Sequence, residues 1–140
     1  MVLEYRMPFR TILAIASLLV TTCGAMAASG GSPRNVLDRL EPGEWELRPR
    51  DHEGARTRMC LANGQQLVQL RHPAQTCRNV IVEDTATAIT ITYTCPDKGY
   101  GRTHIRFENS RLVQLETQGI AKGLPFDFSA EARKSGPCPR

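Results

Sequence analysis

Between residues 87 and 108, apolar and polar positions alternate twice around a turn. Ile89, Ile91, Tyr93 and Cys95 fall on one face, and Thr90, Thr92 and Thr94 on the other. This period of two, carried by β-branched and aromatic residues, predicts a half-buried strand over residues 87–95. Pro96, Asp97, Gly99 and Gly101 make a turn cluster. Alternation then resumes over 102–108, with Thr103, Ile105 and Phe107 facing inward and Arg102, His104, Arg106 and Glu108 facing outward. Two alternating runs around a glycine-containing loop predict a β-hairpin, with glycines supplying the positive φ of the turn.

The same pattern extends in both directions. Trp45 and Leu47 share one face of a predicted strand over 43–48, and 55–61 returns after a turn at 51–54. Further strands are predicted over 77–83, 111–120 and 126–133. In the strand after the hairpin, Val113, Leu115 and Thr117 point to the core, which leaves Gln114, Glu116 and Gln118 beside the outward residues of 102–108. Residues 63–70 read as a short helix capped by Asn63 and ended at His72-Pro73. Residues 35–40 read as one helical turn ended by Pro42. With no βαβ rhythm and no internal repeat, the expected fold is mainly β: an antiparallel meander of about six or seven strands, forming a curved sheet or half-barrel with one short helix. Residues 43–140 form the single β-rich domain, and 28–42 a flexible, peripheral leader.

The N-terminus has a different character. Arg6 and Arg10 precede an apolar run over 12–20, and Ala25-Met26-Ala27 follows. These are the three parts of a secretory signal peptide over 1–27, which implies a periplasmic or secreted protein. The apolar run is about half of the roughly 20 residues a membrane span needs, so no transmembrane segment is expected after its removal. Cys23 raises the alternative of a lipoprotein, which Val20-Thr21-Thr22 fits poorly because threonine is unusual just before a lipidated cysteine.

Without Cys23, four cysteines remain: Cys60, Cys77, Cys95 and Cys138. An even number in an exported chain predicts two disulfides. The spacings lack the clustered C-x-x-C pairs of a zinc site. Of three possible pairings, Cys60–Cys77 with Cys95–Cys138 is favoured. The first bridge would close the helix-containing excursion, and the second would tie the tail to the central strand. Cys60–Cys138 with Cys77–Cys95 is the main competitor, since 77–83 and 87–95 can be neighbours. Cys60–Cys95 with Cys77–Cys138 would need a changed strand order.

The formal charge of +4 is mild and dispersed. Removal of the signal segment lowers it by one, and no basic stripe points to nucleic acid. A search for chemistry finds little. His52, His72 and His104 lie in no metal-ligand spacing, and no cofactor motif occurs. His52 and His72 read as solvated loop residues. Arg102, His104 and Arg106 line up at every second position and form a possible anion patch; the plainer reading is a solvated face with cross-strand ion pairs. Trp45 reads foremost as a core anchor. Trp45, Tyr93, Tyr100, Phe107, Phe126 and Phe128 could instead line a cavity for a small apolar ligand. An enzymatic role would rest on His104 with Glu116 or Asp97; oxidised cysteines cannot serve as nucleophiles.

Gly43-Glu44-Trp45 at the start, Cys60, Cys77 and Cys95 in the middle, Gly99-Tyr100-Gly101 after the third cysteine and the terminal Cys138 resemble the bacterial exported-protein family catalogued as domain of unknown function 3617. The resemblance covers about 40–138. It implies export and a β-rich body and supplies no catalytic residue. The sequence therefore predicts a non-catalytic exported domain that binds an envelope component or another periplasmic protein, or carries a small apolar ligand.

Overall fold

The structure is a computed structural model that describes residues 35–50, 54–73 and 75–140. The predicted signal peptide, Cys23 and His52 lie outside the described residues. Seven strands form one open antiparallel sheet: β1 (Gly43–Pro49), β2 (Thr57–Leu61), β3 (Arg78–Asp84), β4 (Ala88–Cys95), β5 (Gly99–Asn109), β6 (Leu112–Ala121) and β7 (Leu124–Gly136). Their order across the sheet is β2-β1-β7-β6-β5-β4-β3. Strands β3 to β7 are the expected meander. The first two strands are added beyond β7, which leaves β2 and β3 as opposite free edges.

This order decides the disulfides. A simple meander would set β2 beside β3 and favour Cys60–Cys77. With those strands at opposite edges, Cys60 instead bonds Cys138, and Cys77 bonds Cys95. The register explains both bridges. Glu44 pairs with Cys60 on one side and with Gly136 on the other, so the tail two residues further on reaches across the start of β1. Arg78 pairs with Thr94, which places the preceding Cys77 opposite Cys95. The favoured pairing is thus corrected to its competitor. Two disulfides fit an oxidising, extracytoplasmic environment.

The chain between β2 and β3 has to cross the sheet, and it covers one face in doing so. Asn63 and Gln66 form a complete capping box, yet only the 3-10 turn Gly64–Leu67 follows. The Val68 carbonyl, which a longer helix would use, accepts a 2.7 Å bond from Thr103 Oγ1 of β5. That bond pins the crossing segment to the middle of the sheet. Leu67 and Val68 are fully buried beneath it.

The segment before β1 shares the cover. A 3-10 turn, Val36–Arg39, is capped by the Asn35 side chain at 2.9 Å. Val36, Leu37 and Leu40 are buried in the core, so residues from 35 onward belong to the domain and are not peripheral. Gly64 lies against this turn so closely that a Cβ there would meet the Leu37 Cα at 2.8 Å.

The core lies between this cover and the inward rungs of the sheet. Ala130, Leu115, Ile105 and Ile89 form one rung across four strands. Phe128, Thr117, Thr103 and Ile91 form the next. The two buried threonines satisfy each other at 2.8 Å. The inward and outward faces of the hairpin are as the alternation predicts. Its turn is tighter than expected: Pro96–Lys98 suffices, with Asp97 at φ 58 and Gly99 at φ 116, and β5 begins at Gly99. Only Gly99 of the Gly-Tyr-Gly run therefore serves the turn. Gly101 lies in the strand, where the Tyr93 ring needs the space.

Candidate functional site

The two faces of the sheet offer different chemistry. On the outer face, register sets Arg102, His104 and Arg106 beside Gln118, Glu116 and Gln114 of β6. Two of the three cations, Arg106 and His104, already have company. Arg106 pairs with Glu108 at 2.9 Å, and Arg50 reaches over to Glu116 at 3.3 Å. His104 is held by a relay: Thr90 Oγ1 donates to Glu83 Oε2 at 2.9 Å and lies 2.8 Å from His104 Nδ1. A hydroxyl has one proton, and the carboxylate can only accept. Thr90 therefore accepts from the Nδ1–H of His104, and the other ring nitrogen is left unprotonated in the neutral imidazole.

A shallow cleft of about 370 Å³ opens beside these groups, lined by Arg102, His104, Gln118, Glu116 and Asp127. Two carboxylates among the cations make its potential mixed. That is the character of a cross-paired polar face and does not focus one sign of charge. Asp97 sits in the β4–β5 turn at the far end of β5 from His104, so that combination does not assemble.

On the inner face, a larger groove opens between the sheet and the crossing segment. It measures about 840 Å³. Strands β1 and β2 contribute Leu47, Thr57 and Met59, β7 contributes Phe128, and the cover contributes Gln69 and Leu70. Met59, Leu70 and Phe128 are half-buried against the core, so each presents an apolar surface to the groove. The volume lies within the range of small-molecule sites. One polar atom stands out: Gln69 Oε1 is buried and has no hydrogen-bond partner among the described residues. A buried acceptor without a donor costs free energy.

His72 fixes the cover over this groove. It is buried, with Nε2 3.0 Å from the Lys98 carbonyl and Nδ1 3.2 Å from the Tyr93 hydroxyl. A carbonyl only accepts, so Nε2 carries the proton and Nδ1 accepts from the phenol. The ring meets Tyr93 and Phe126 edge-on, with centroids at 5.4 and 6.2 Å. The expectation of a solvated loop histidine is therefore corrected: the neighbouring proline ends the segment, but the imidazole points into the sheet. Burial also raises the Tyr93 hydroxyl above the usual tyrosine range.

The aromatic residues expected to line a cavity are divided. Trp45 and Tyr93 are fully buried and fill the core; the Trp45 indole N–H donates to the Glu41 carbonyl at 3.0 Å. Phe107 is covered by the Arg39 guanidinium, 3.7 Å from its centroid. Phe126 borders smaller clefts, and Tyr100 is half exposed. Phe128 alone of the set borders the large groove. Its wall also includes Met59, Gln69 and Leu70. Sequence reasoning had no reason to single these out, because the strand order places Met59 and the crossing of β2 to β3 places Gln69 and Leu70.

Salt bridges close the edges of the fold. Glu46 takes Arg48 at 2.6 Å and lies within reach of Arg58 on β2 and of Arg56 just before it, and its carboxyl is held below the usual range, first by the Arg48 hydrogen bond. Glu41 is likewise lowered, first by hydrogen bonds from Lys134 and Ser110. Among the described residues no group of three metal-ligating side chains comes together, and no helix is long and apolar enough to cross a membrane. Compared with family models, with curated proteins and with solved structures, the chain shows no significant match.

Proposed function

We propose that the protein is a non-catalytic, periplasmic binding domain that holds a small apolar ligand in the groove between the sheet and the crossing segment. The groove itself carries this reading: about 840 Å³, walled by Leu47, Met59, Leu70 and Phe128. The segment over it is pinned at Val68 and His72, which favours a preformed site over one assembled on binding. Export rests on the signal pattern of 1–27 and is supported by the two disulfides. The resemblance to the exported family of unknown function is part of the same proposal.

Titration with phenylnaphthylamine, a neutral apolar fluorophore, tests the site. Ala55 is exposed at the groove wall, and Ala55→Trp fills its mouth without touching the core. Saturable binding that this variant abolishes supports the reading; binding unaltered by it places the probe elsewhere and overturns the assignment. The intact mass of the periplasmic protein tests export, with a chain starting at Ala28 expected and retention of 1–27 contradicting it.

A further inference from the structure

The crossing segment brings one cation to the rim of the inner groove. The His72 backbone N–H donates to the Gln69 carbonyl at 2.8 Å, which closes a four-residue turn with Leu70 and Arg71 at its centre. The turn is held on both sides, at Val68 by the Thr103 hydroxyl and at His72 by the Lys98 carbonyl. Leu70 packs against the core, and the neighbouring Arg71 is exposed. Both side chains border the groove. The Arg71 guanidinium lies over the Phe126 ring, 5.6 Å from its centroid, and enters no ion pair among the described residues. Leu70 and Arg71 also border a second cleft of about 420 Å³, together with Phe126 and, in the β6–β7 turn, Lys122. Among the described residues, the charged side chains bordering either cleft are Arg71 and Lys122, both cations.

An apolar wall that ends at a guanidinium is complementary to an aliphatic chain that ends in an anion. We propose that the ligand of the groove is a single-chain fatty acid, with its tail along Met59, Leu70 and Phe128 and its carboxylate on Arg71. This rests on the groove reading above and adds the chemical class of the ligand. The planar fork of N–H groups on Arg71 can hold both oxygens of one carboxylate. Because Arg71 is exposed, the head stays in contact with water while the tail is withdrawn from it. The carboxylate therefore avoids the cost of a buried charge. The groove itself offers one cation, which matches the single charge of a carboxylate; a phosphate monoester would carry a second charge. Lys122, on the far side of Arg71, adds to the positive potential at the head.

Calorimetric titration with decanoate, and with decanol as its neutral counterpart of equal chain length, tests this. The readout is the ratio of the two affinities, which a general change in the groove would not move. The wild-type chain is expected to prefer decanoate about fivefold, the range of one solvent-exposed charge pair. Arg71→Gln brings the ratio to about one, and Arg71→Lys, which keeps the charge, retains the preference. Raising the salt to about 0.5 M shrinks it. Arg71 is exposed, and unchanged Trp45 fluorescence reports that each variant is folded. Binding of neither compound overturns the groove reading and this proposal with it. Equal affinities in the wild-type chain, or a preference that Arg71→Gln retains, overturn this proposal and leave the groove reading standing. Decyl phosphate binding more tightly than decanoate overturns the carboxylate head.

Discussion

The phenol ring of Tyr93 occupies the space where a side chain on Gly101 would stand. The two residues are cross-strand partners on β4 and β5, and a Cβ built on Gly101 meets the Tyr93 Cζ at 2.5 Å and Cε1 at 2.7 Å. Gly101 in turn faces Gly119 on β6, and Gly119 faces Phe126 on β7. Two glycines thus make a trough in the sheet, and Tyr93 lies in it with His72 against its edge.

Replacing Gly101 with alanine is therefore an overpacking change against a core ring held by hydrogen bonds. It is expected to cost about 1–3 kcal/mol in urea unfolding. Gly136→Ala, with nothing within 4 Å of the added methyl, is the control and should stay within about 0.5 kcal/mol of wild type. Equal stabilities for the two variants would contradict the close approach.

Peptide mapping without reduction should recover a peptide linking Cys77 to Cys95 and another linking Cys60 to Cys138. In chain-entropy terms the shorter loop, a separation of 18, contributes about 3 kcal/mol and the longer, a separation of 78, about 4.5 kcal/mol. Paired Cys→Ser variants should follow that order in denaturation midpoint. A Cys60–Cys77 peptide would contradict the strand order itself.

The seven strands were legible because each depends on its own alternation; Ile89-Thr90-Ile91 or Val113-Gln114-Leu115 needs no distant partner to show its period. Strand order was not legible. Nothing in the run around Trp45 tells that β1 pairs with β7, since both faces of β1 are satisfied by any antiparallel neighbour. The choice between the two disulfide pairings and the position of the groove follow from that order, so neither could be settled from the sequence. Lys134-Ser135-Gly136 extends β7 past the predicted end because β1 supplies a partner, not because its residues favour a strand. His72 misled in the same way: its neighbour Pro73 signals a loop, but burial comes from Tyr93 and Lys98, distant in sequence.

The raised Tyr93 hydroxyl gives a pH dependence with a definite sign. Its folded value lies above the unfolded value of about 10, so the folded state holds the proton more tightly. The associated stability is complete below about pH 10 and is lost as pH rises through the folded value. Tyr93→Phe should be less stable at neutral pH, because His72 Nδ1 loses its donor. Its stability should also fall less steeply than wild type on the alkaline side. Parallel alkaline limbs in the two proteins would contradict the assignment.

The outer face should matter little for stability. Arg102 and Arg106 are exposed, and the Arg106–Glu108 pair is a surface contact. Replacing both arginines with glutamine should change unfolding free energy by no more than about 1 kcal/mol and leave phenylnaphthylamine binding intact. Loss of apolar-probe binding in that double variant would move the site from the inner groove to the outer face.

The groove is tested most directly by native mass spectrometry of the protein taken from periplasmic extract without denaturation. The account predicts an adduct of one small apolar molecule per chain, lost on mild activation and missing from Ala55→Trp prepared in parallel. A wild-type protein that carries no adduct and takes up none from a total lipid extract, or an adduct equally present on Ala55→Trp, would contradict it.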